Sequence, residues 1–341
     1  MKKIITLSAL IIALLLSLFF VSCGSKNDTT DVTTGKNADD TSPAMADEVR
    51  ILGLKGPTGM GLATVINDSG NDPDSRYKVT VMNSPDLVKA EVLLGKYDIA
   101  ALPTNVAAAL YNSGKADFKI AAVNTLGVLY ILENGNTVTD INSLKGKTIY
   151  ATGGGSTPEY ILRYILSENG IDPDKDVTLD FSFTEHSELA AYIAGGANII
   201  AMLPEPNVTT TLMSNPEIRV ALDITEEWGK VSDSDVMQGC IVVRSEFAEK
   251  YPEQLAMFLD DYRASIEYVN EHPDEASVMI ANAGIIPKAE IAKSAIERCN
   301  IVYVEGTEMS DKLSDFFEVL YDADPSSVGG KLPDNDIFLR R

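Results

Sequence analysis

The chain is predicted to be an α/β protein of two lobes, each a mostly parallel sheet flanked by helices, with two hinge crossings between them. Three observations carry that expectation. A unit of strand, Gly-rich turn and helix occurs twice past residue 49. Each copy continues into a strand, a helix and a short apolar strand ending in proline. Two apolar runs, each broken by a glycine, stand between and after the copies. At 341 residues and 45% hydrophobic content, the chain has material for such a core.

The first unit opens with the strand-like "VRILGLK", Val49 to Lys55, turns through "GPTGMG", Gly56 to Gly61, and enters "LATVIND" as a helix. The second opens with "KTIYAT", Lys147 to Thr152, turns through "GGGSTP" and enters "EYILRYILSENG". Downstream, "YKVTVMN", Tyr77 to Asn83, matches "VTLDFSF", Val177 to Phe183. A helix follows each, then a buried strand, "DIAAL" or "IIAML", ending at Pro103 or Pro204. The tails "LPTNVAAAL" and "LPEPNVTTTL" correspond almost residue for residue. The runs "KIAAVNTLGVLYILENG" and "VMQGCIVVRSEF", with Gly127 and Gly239 inside and polar Thr125 and Gln238 ahead of them, are read as the crossings out and back. Long helical patterns fill Ser245 to Leu320, with Pro273 suited to a first turn, and are expected to cover the first lobe. The boundaries that follow are 49–125 with 239–341 for lobe 1 and 126–238 for lobe 2.

The N-terminus sets the compartment. Met1-Lys2-Lys3 precedes an apolar run, Ile4 to Val21, then Ser22 and Cys23, which reads as a secretory signal over residues 1–22. The ending "FFVSC" resembles a bacterial lipobox, whose cysteine is lipidated after cleavage, although Phe20 stands where Leu is usual. An uncleaved membrane anchor is the alternative, on a run only marginally long enough to span a bilayer. Residues 24–48 contain no aromatic residue and are rich in Thr, Asp, Gly, Ser and Asn, so 23–48 reads as a lipidated cysteine with a flexible tether.

The net charge of -22, or -24 once Lys2 and Lys3 leave with the signal, repels phosphate backbones and anionic surfaces, so nucleic acid is not expected as a partner. The two histidines, His186 and His272, lie outside any HxxxH or HxH spacing and leave little material for a metal site or a histidine triad. No cofactor or metal is expected. Cys240 and Cys299 stand in apolar surroundings and read as buried thiols, with a disulfide as the alternative.

In open α/β sheets ligands sit beyond the carboxyl ends of the strands. Four loops hold that position: Gly56 to Gly61, Pro103 to Asn105, Gly153 to Pro158 and Pro204 to Asn207. Facing each other across a cleft, they offer free backbone N–H groups and positive helix ends. Nucleotide chemistry is not supported. Neither glycine loop supplies the Lys and Ser/Thr of a P-loop, and Pro158 replaces the last glycine of GxGxxG. A plain helix cap by Ser156 or Thr157 accounts equally for either loop alone, and their duplication favours binding.

Several side chains keep two readings. Lys55 either neutralises an anion or ends its strand in solvent. Glu205 complements the dipole of the helix it precedes or touches ligand. Trp228, the only tryptophan, covers lobe 2 or stacks on a ligand. Arg163 is read as pairing with a neighbouring acid.

On the "GPTGMG" loop, "LKGKTIYATGGGSTPEYILRYIL", "MLPEPNVTTTL" and "VMQGCIVVRSEFAEKYPE", the chain from Asp47 to Leu320 resembles the solute-binding lipoproteins of ABC importers in the nitrate, sulfonate, taurine and thiamine-precursor group. The resemblance implies a periplasmic-binding-protein-like fold and a monomer held by a lipid, such as palmitate, on Cys23. It would lie on the extracytoplasmic face of the membrane, pass a small solute to an ABC permease with its ATPase, and catalyse nothing. Family contacts map onto Thr58, Gly59, Met60, Thr104, Asn105, Gly155, Ser156, Thr157, Glu205 and Gln238. Lys55, Gly56 and Thr125 join them as candidates from loop and crossing positions. The solute class implied is a sulfonate, carboxylate or heterocyclic vitamin precursor. Two other functions remain open on the same scaffold: an enzyme of menaquinone-pathway or pyrimidine-synthase type, or a sensory or adhesive lipoprotein without an importer. Replacing Gly59 or Gly155 by a bulky residue is expected to weaken binding with little loss of fold.

Overall fold

A computed structural model describes residues 44–340. The signal, Cys23 and nearly all of the tether lie outside the described residues. No helix among the described residues is long and apolar enough to cross a membrane.

The first copy of the repeat folds as β1 (Val49–Leu54), α1 (Pro57–Met60), α2 (Ala63–Asn71), β2 (Tyr77–Met82), α3 (Pro85–Leu93), β3 (Ile99–Pro103) and α4 (Thr104–Asn112). The first crossing is β4 (Phe118–Thr125) leading directly into β5 (Leu129–Asn134). The second copy is β6 (Thr148–Ala151), α5 (Thr157–Glu168), β7 (Thr178–Asp180), α6 (His186–Ala194), β8 (Ile200–Pro204) and α7 (Asn207–Ser214). Then come β9 (Ile218–Asp223), α8 (Ile224–Gly229) and β10 (Gly239–Arg244), which returns. The rest is α9 (Ser245–Lys250), α10 (Pro252–Glu271), α11 (Pro273–Asn282), α12 (Ala289–Ala295), β11 (Ile301–Val304) and α13 (Gly306–Ala323).

Two sheets result, ordered β11-β4-β10-β3-β1-β2 and β7-β6-β8-β5-β9. Each repeat builds its own parallel triplet, β2-β1-β3 or β7-β6-β8. The crossing strands then add antiparallel neighbours, because they enter from the other sheet and run the opposite way: β10 beside β3, and β5 beside β8. The sheets are therefore mixed, with the expected parallel register confined to the repeats. Central strands are apolar on both faces, β3 and β10 being buried almost throughout, while β2 at the edge alternates between exposed and half-buried.

Within the helical patterns expected past Ser245, Pro252 separates α9 from α10, since proline has no N–H for the preceding turn and suits a helix start. α11 begins at Pro273 as expected. The four-residue strand β11 falls in the gap between the helical patterns that end at Cys299 and resume at Ser310, and it pairs irregularly with β4. The C-terminal helices reach beyond the first sheet. α13 packs against both β4 and α5, and α12 against α7. Trp228 is part of that bridge: its ring lies 4.7 Å from Tyr164 and 5.7 Å from Phe316 of α13, and its Nε1 donates to the Ser234 carbonyl at 2.7 Å. Arg163 bonds Glu159 and Asp174, as expected. Cys240 and Cys299 are buried free thiols.

Immediately before β3, the Asp98 carboxylate accepts from Arg50 N, Nε and Nη2 at 2.9, 3.0 and 2.9 Å and from Arg244 Nη2 at 2.8 Å. Burial pushes its pKa up, but the hydrogen bonds of the two guanidinium groups outweigh that and hold it below the usual aspartate range. A depressed folded pKa means stability that is present above the unfolded value, about 3.9, and lost as pH falls through the folded one. Asp98→Asn is expected to cost about 2 kcal/mol at pH 7, a figure kept low because the Arg50 side chain is 39% exposed. It should also flatten the acid limb of the stability profile; denaturant midpoints between neutral and acidic pH check both.

Candidate functional site

The two repeats bring the carboxyl ends of their strands to one cavity of about 340 Å³. From the first sheet come Leu54 to Thr58 after β1, with Asn83 and Pro85 after β2. From the second come His186 at the start of α6 and Pro204 to Asn207 after β8. Val128 and Gln238 close it from the two crossings.

The crossings are fixed by backbone bonds. Gln238 N donates to the Thr125 carbonyl at 3.0 Å, and Thr104 N to the Gln238 carbonyl at 3.1 Å. Thr104 Oγ1 donates to the Met237 carbonyl at 2.5 Å. Both crossing glycines are needed for space. A Cβ on Gly127 would lie 2.3 Å from Thr225 Oγ1, and one on Gly239 would lie 2.6 Å from Asn124 Oδ1. Asn124 in turn donates from Nδ2 to the Thr58 carbonyl at 3.1 Å and to Tyr262 Oη at 2.9 Å, and its Oδ1 accepts from Thr125 Oγ1 at 2.9 Å. The β1 loop is thereby held from behind. A glycine starts that loop because Gly56 has φ +88°, a conformation that L side chains rarely adopt.

Charge in the cavity is sparse. Lys55 is exposed there and has no ion-pair partner among the described residues. Glu205 is buried and committed: Oε1 accepts from Arg298 Nε at 2.5 Å and from Thr209 Oγ1 at 3.0 Å, and Oε2 from Thr209 N at 3.1 Å. Burial raises its pKa, against the opposing pull of Arg298 and Thr209. The Thr209 N–H belongs to the first turn of α7, so Glu205 satisfies a helix end while lining the cleft. Arg298 is held by a further bond from Nη2 to the Ser294 carbonyl at 2.9 Å, and its own carbonyl accepts from Tyr130 Oη at 2.9 Å. The side chain of Gln238 presents a buried Oε1 with no partner. Such an acceptor suits a donor brought by a ligand. His186 is exposed at the cavity, yet partial burial of its ring, opposed by Glu185, lowers its pKa.

Five sequence candidates meet at this cavity: Lys55, Gly56, Thr58, Glu205 and Gln238. The others lie elsewhere. Thr104 and Thr125 are buried in the hinge, and half-buried Asn105 is not among the cavity's lining residues. Met60 is fully buried core. Gly59 is pressed against its own chain, where a Cβ would lie 1.8 Å from the Leu54 carbonyl oxygen. The expectation that a bulky residue at Gly59 would spare the fold is corrected by that contact.

The "GGGSTP" loop does not line the cavity, and it bonds to itself. Gly155 N donates to Glu159 Oε2 at 2.8 Å, and Ser156 Oγ donates to the Gly153 carbonyl at 2.6 Å instead of capping α5. Gly155 instead borders a groove of about 820 Å³ between α5 and α13. Thr157 Oγ1 is buried without a partner. Sequence reasoning passed over Asn83, His186 and Asn207 as contacts. The repeat contains the signal: Asn83 and His186 follow the second strand of each copy, a pair of loops not counted among the four.

A two-sheet α/β chain with a small cavity at the shared carboxyl ends and paired crossings beneath it is a bilobed binding-protein fold. The family model described as NMT1/THI5 like matches residues 77–276, more than half of the chain, and the chain belongs to that family. Among solved structures, it is similar to an ABC transporter from Parabacteroides distasonis, with 27% identity, 87% of this chain and 100% of that chain covered, and a TM-score of 0.74. It also resembles the periplasmic aliphatic sulphonate binding protein SsuA of Escherichia coli, with 16% identity, 85% and 93% coverage and a TM-score of 0.67. A third is the alkanesulfonate-binding protein SsuA of Xanthomonas axonopodis bound to MOPS, with 13% identity, 87% and 100% coverage and a TM-score of 0.59. No curated protein sequence matches the chain.

Proposed function

We propose that the chain is the extracytoplasmic solute-binding component of an ABC importer, closing its lobes on a small organic solute and delivering it to a membrane permease with its ATPase. The observation that carries this reading is the cavity of about 340 Å³ between the sheets, with an unpaired lysine on one wall and an unpartnered buried acceptor at the hinge. The family and the named functions of its solved relatives support it. Lobe 1 comprises 49–125 and 239–341, lobe 2 comprises 126–238, and the monomer is tethered through lipid on Cys23.

Lys55 favours a sulfonate or carboxylate, and Gln238 Oε1 favours a solute with an N–H or O–H beside it, as some heterocycles have. A thermal-shift panel of small sulfonates, carboxylates and heterocycles tests the reading. One class should stabilise the protein, by about 2.7 kcal/mol at a hundred times Kd; a panel that leaves the midpoint unmoved counts against it. Lys55→Gln should weaken an anionic solute about tenfold to a hundredfold and leave a neutral one unaffected, read by titration calorimetry.

A further inference from the structure

Thr152, the residue after β6, is 2% exposed, and the one hydrogen-bond partner of its hydroxyl among the described residues is His186 Nδ1. A buried hydroxyl has a proton to place. If the imidazole carried its proton on Nδ1, that N–H would donate to the Thr152 oxygen, and the buried hydroxyl proton would have no acceptor among the described residues. The arrangement that satisfies it has Thr152 donating to an unprotonated Nδ1, which leaves the ring proton on Nε2. That nitrogen has no partner among the described residues, and the ring lines the cavity. Desolvation lowers the pKa of the ring, which favours its neutral form although the residue keeps an exposed face at the cavity.

His186 comes from the second lobe and Lys55 from the first, and both border the same cavity. The remaining charged lining group, Glu205, is occupied by Arg298 and Thr209. We propose that His186 is a solute-binding residue, donating from Nε2–H to an acceptor group of the solute across the cleft from Lys55, and that Thr152 is a positioning residue that fixes the tautomer. This rests on the importer reading above and adds a jaw from the second lobe to the site. One donor from each lobe gives a solute contacts in the closed form that neither lobe supplies alone, which is the differential affinity closure requires.

The chain's two histidines make the tautomer directly readable in 15N-histidine-labelled protein, with His272→Gln assigning the signals. The expected result is Nε2–H for His186 in the wild type and a mixture of tautomers in Thr152→Val. A wild-type ring protonated mainly on Nδ1 overturns the proposal. Binding of ethanesulfonate, by calorimetry, gives the second reading. His186→Leu should bind about tenfold more weakly, and His186→Gln, whose amide can present an N–H near the place of Nε2, should recover most of the loss. If the wild type binds and His186→Leu binds equally well, this inference fails and the importer reading stands. If the wild type binds neither ethanesulfonate nor any member of the wider panel, the importer reading itself fails.

Discussion

Gly59→Ala is expected to lose at least about 3 kcal/mol of stability, the upper end for overpacking a core, because the obstacle is backbone. A Cβ at residue 59 would sit 1.8 Å from the Leu54 carbonyl oxygen and 3.0 Å from its carbon, so either β1 or α1 must move. Both are pinned: β1 lies between β2 and β3, and the Thr58 carbonyl accepts from Asn124. Gly155→Ala is the control. Unlike Gly59 it has positive φ, at +70°, but a Cβ there has nothing within 4 Å, so its expected loss is the left-handed backbone penalty alone, about 1–2 kcal/mol. Denaturant midpoints for the pair should therefore separate clearly. Equal losses would show that the close approach of α1 to β1 is not the constraint.

Arg298→Met should cost about 3–5 kcal/mol, since it leaves the Glu205 carboxylate, whose side chain is 0% exposed, without its charged partner. The sign of the accompanying pH dependence is defined. Burial already raises the Glu205 pKa, and removing Arg298 takes away the largest opposing influence, so the folded pKa rises further above the unfolded value. A raised carboxyl pKa contributes stability below the unfolded pKa and loses it as pH climbs through the folded one. The variant should thus be nearer to wild type at mildly acid pH than at pH 8. Arg298→Met with Glu205→Gln should recover much of the loss, a coupling read from a double-mutant cycle. Additive losses would mean that the pair is not a unit.

These two sites mark how far the sequence could be read. The repeat was legible because apolar period and glycine position recur in both copies, and the crossings because Gly127 and Gly239 interrupt runs that otherwise read as strands. Gly59 was visible as a glycine of consequence, but its partner was not, since a solute and a carbonyl oxygen leave the same mark on a sequence. Arg298 was hidden altogether. It sits at the end of a helical pattern and meets Glu205 only because α12 packs on α7, a contact with no local signature. The "GGGSTP" loop does not line the cavity, and Glu159, in the first turn of α5, takes the Gly155 N–H that a ligand would use. Polar helix starts can cap themselves from either side, and composition does not say which. His186 could have been found by carrying the repeat one loop further.

The central claim is that solute binds in the cavity between the two sheets. Asn207, at the first turn of α7, borders it and is half-buried. The decisive measurement is calorimetric titration of Asn207→Trp with the solute selected by the thermal-shift panel, in a sample whose unliganded melting midpoint matches wild type. An indole filling the cavity should weaken binding by about a hundredfold or more. Wild-type affinity in that variant would contradict the claim and move the site elsewhere, with the groove of about 820 Å³ between α5 and α13 as the next place to look.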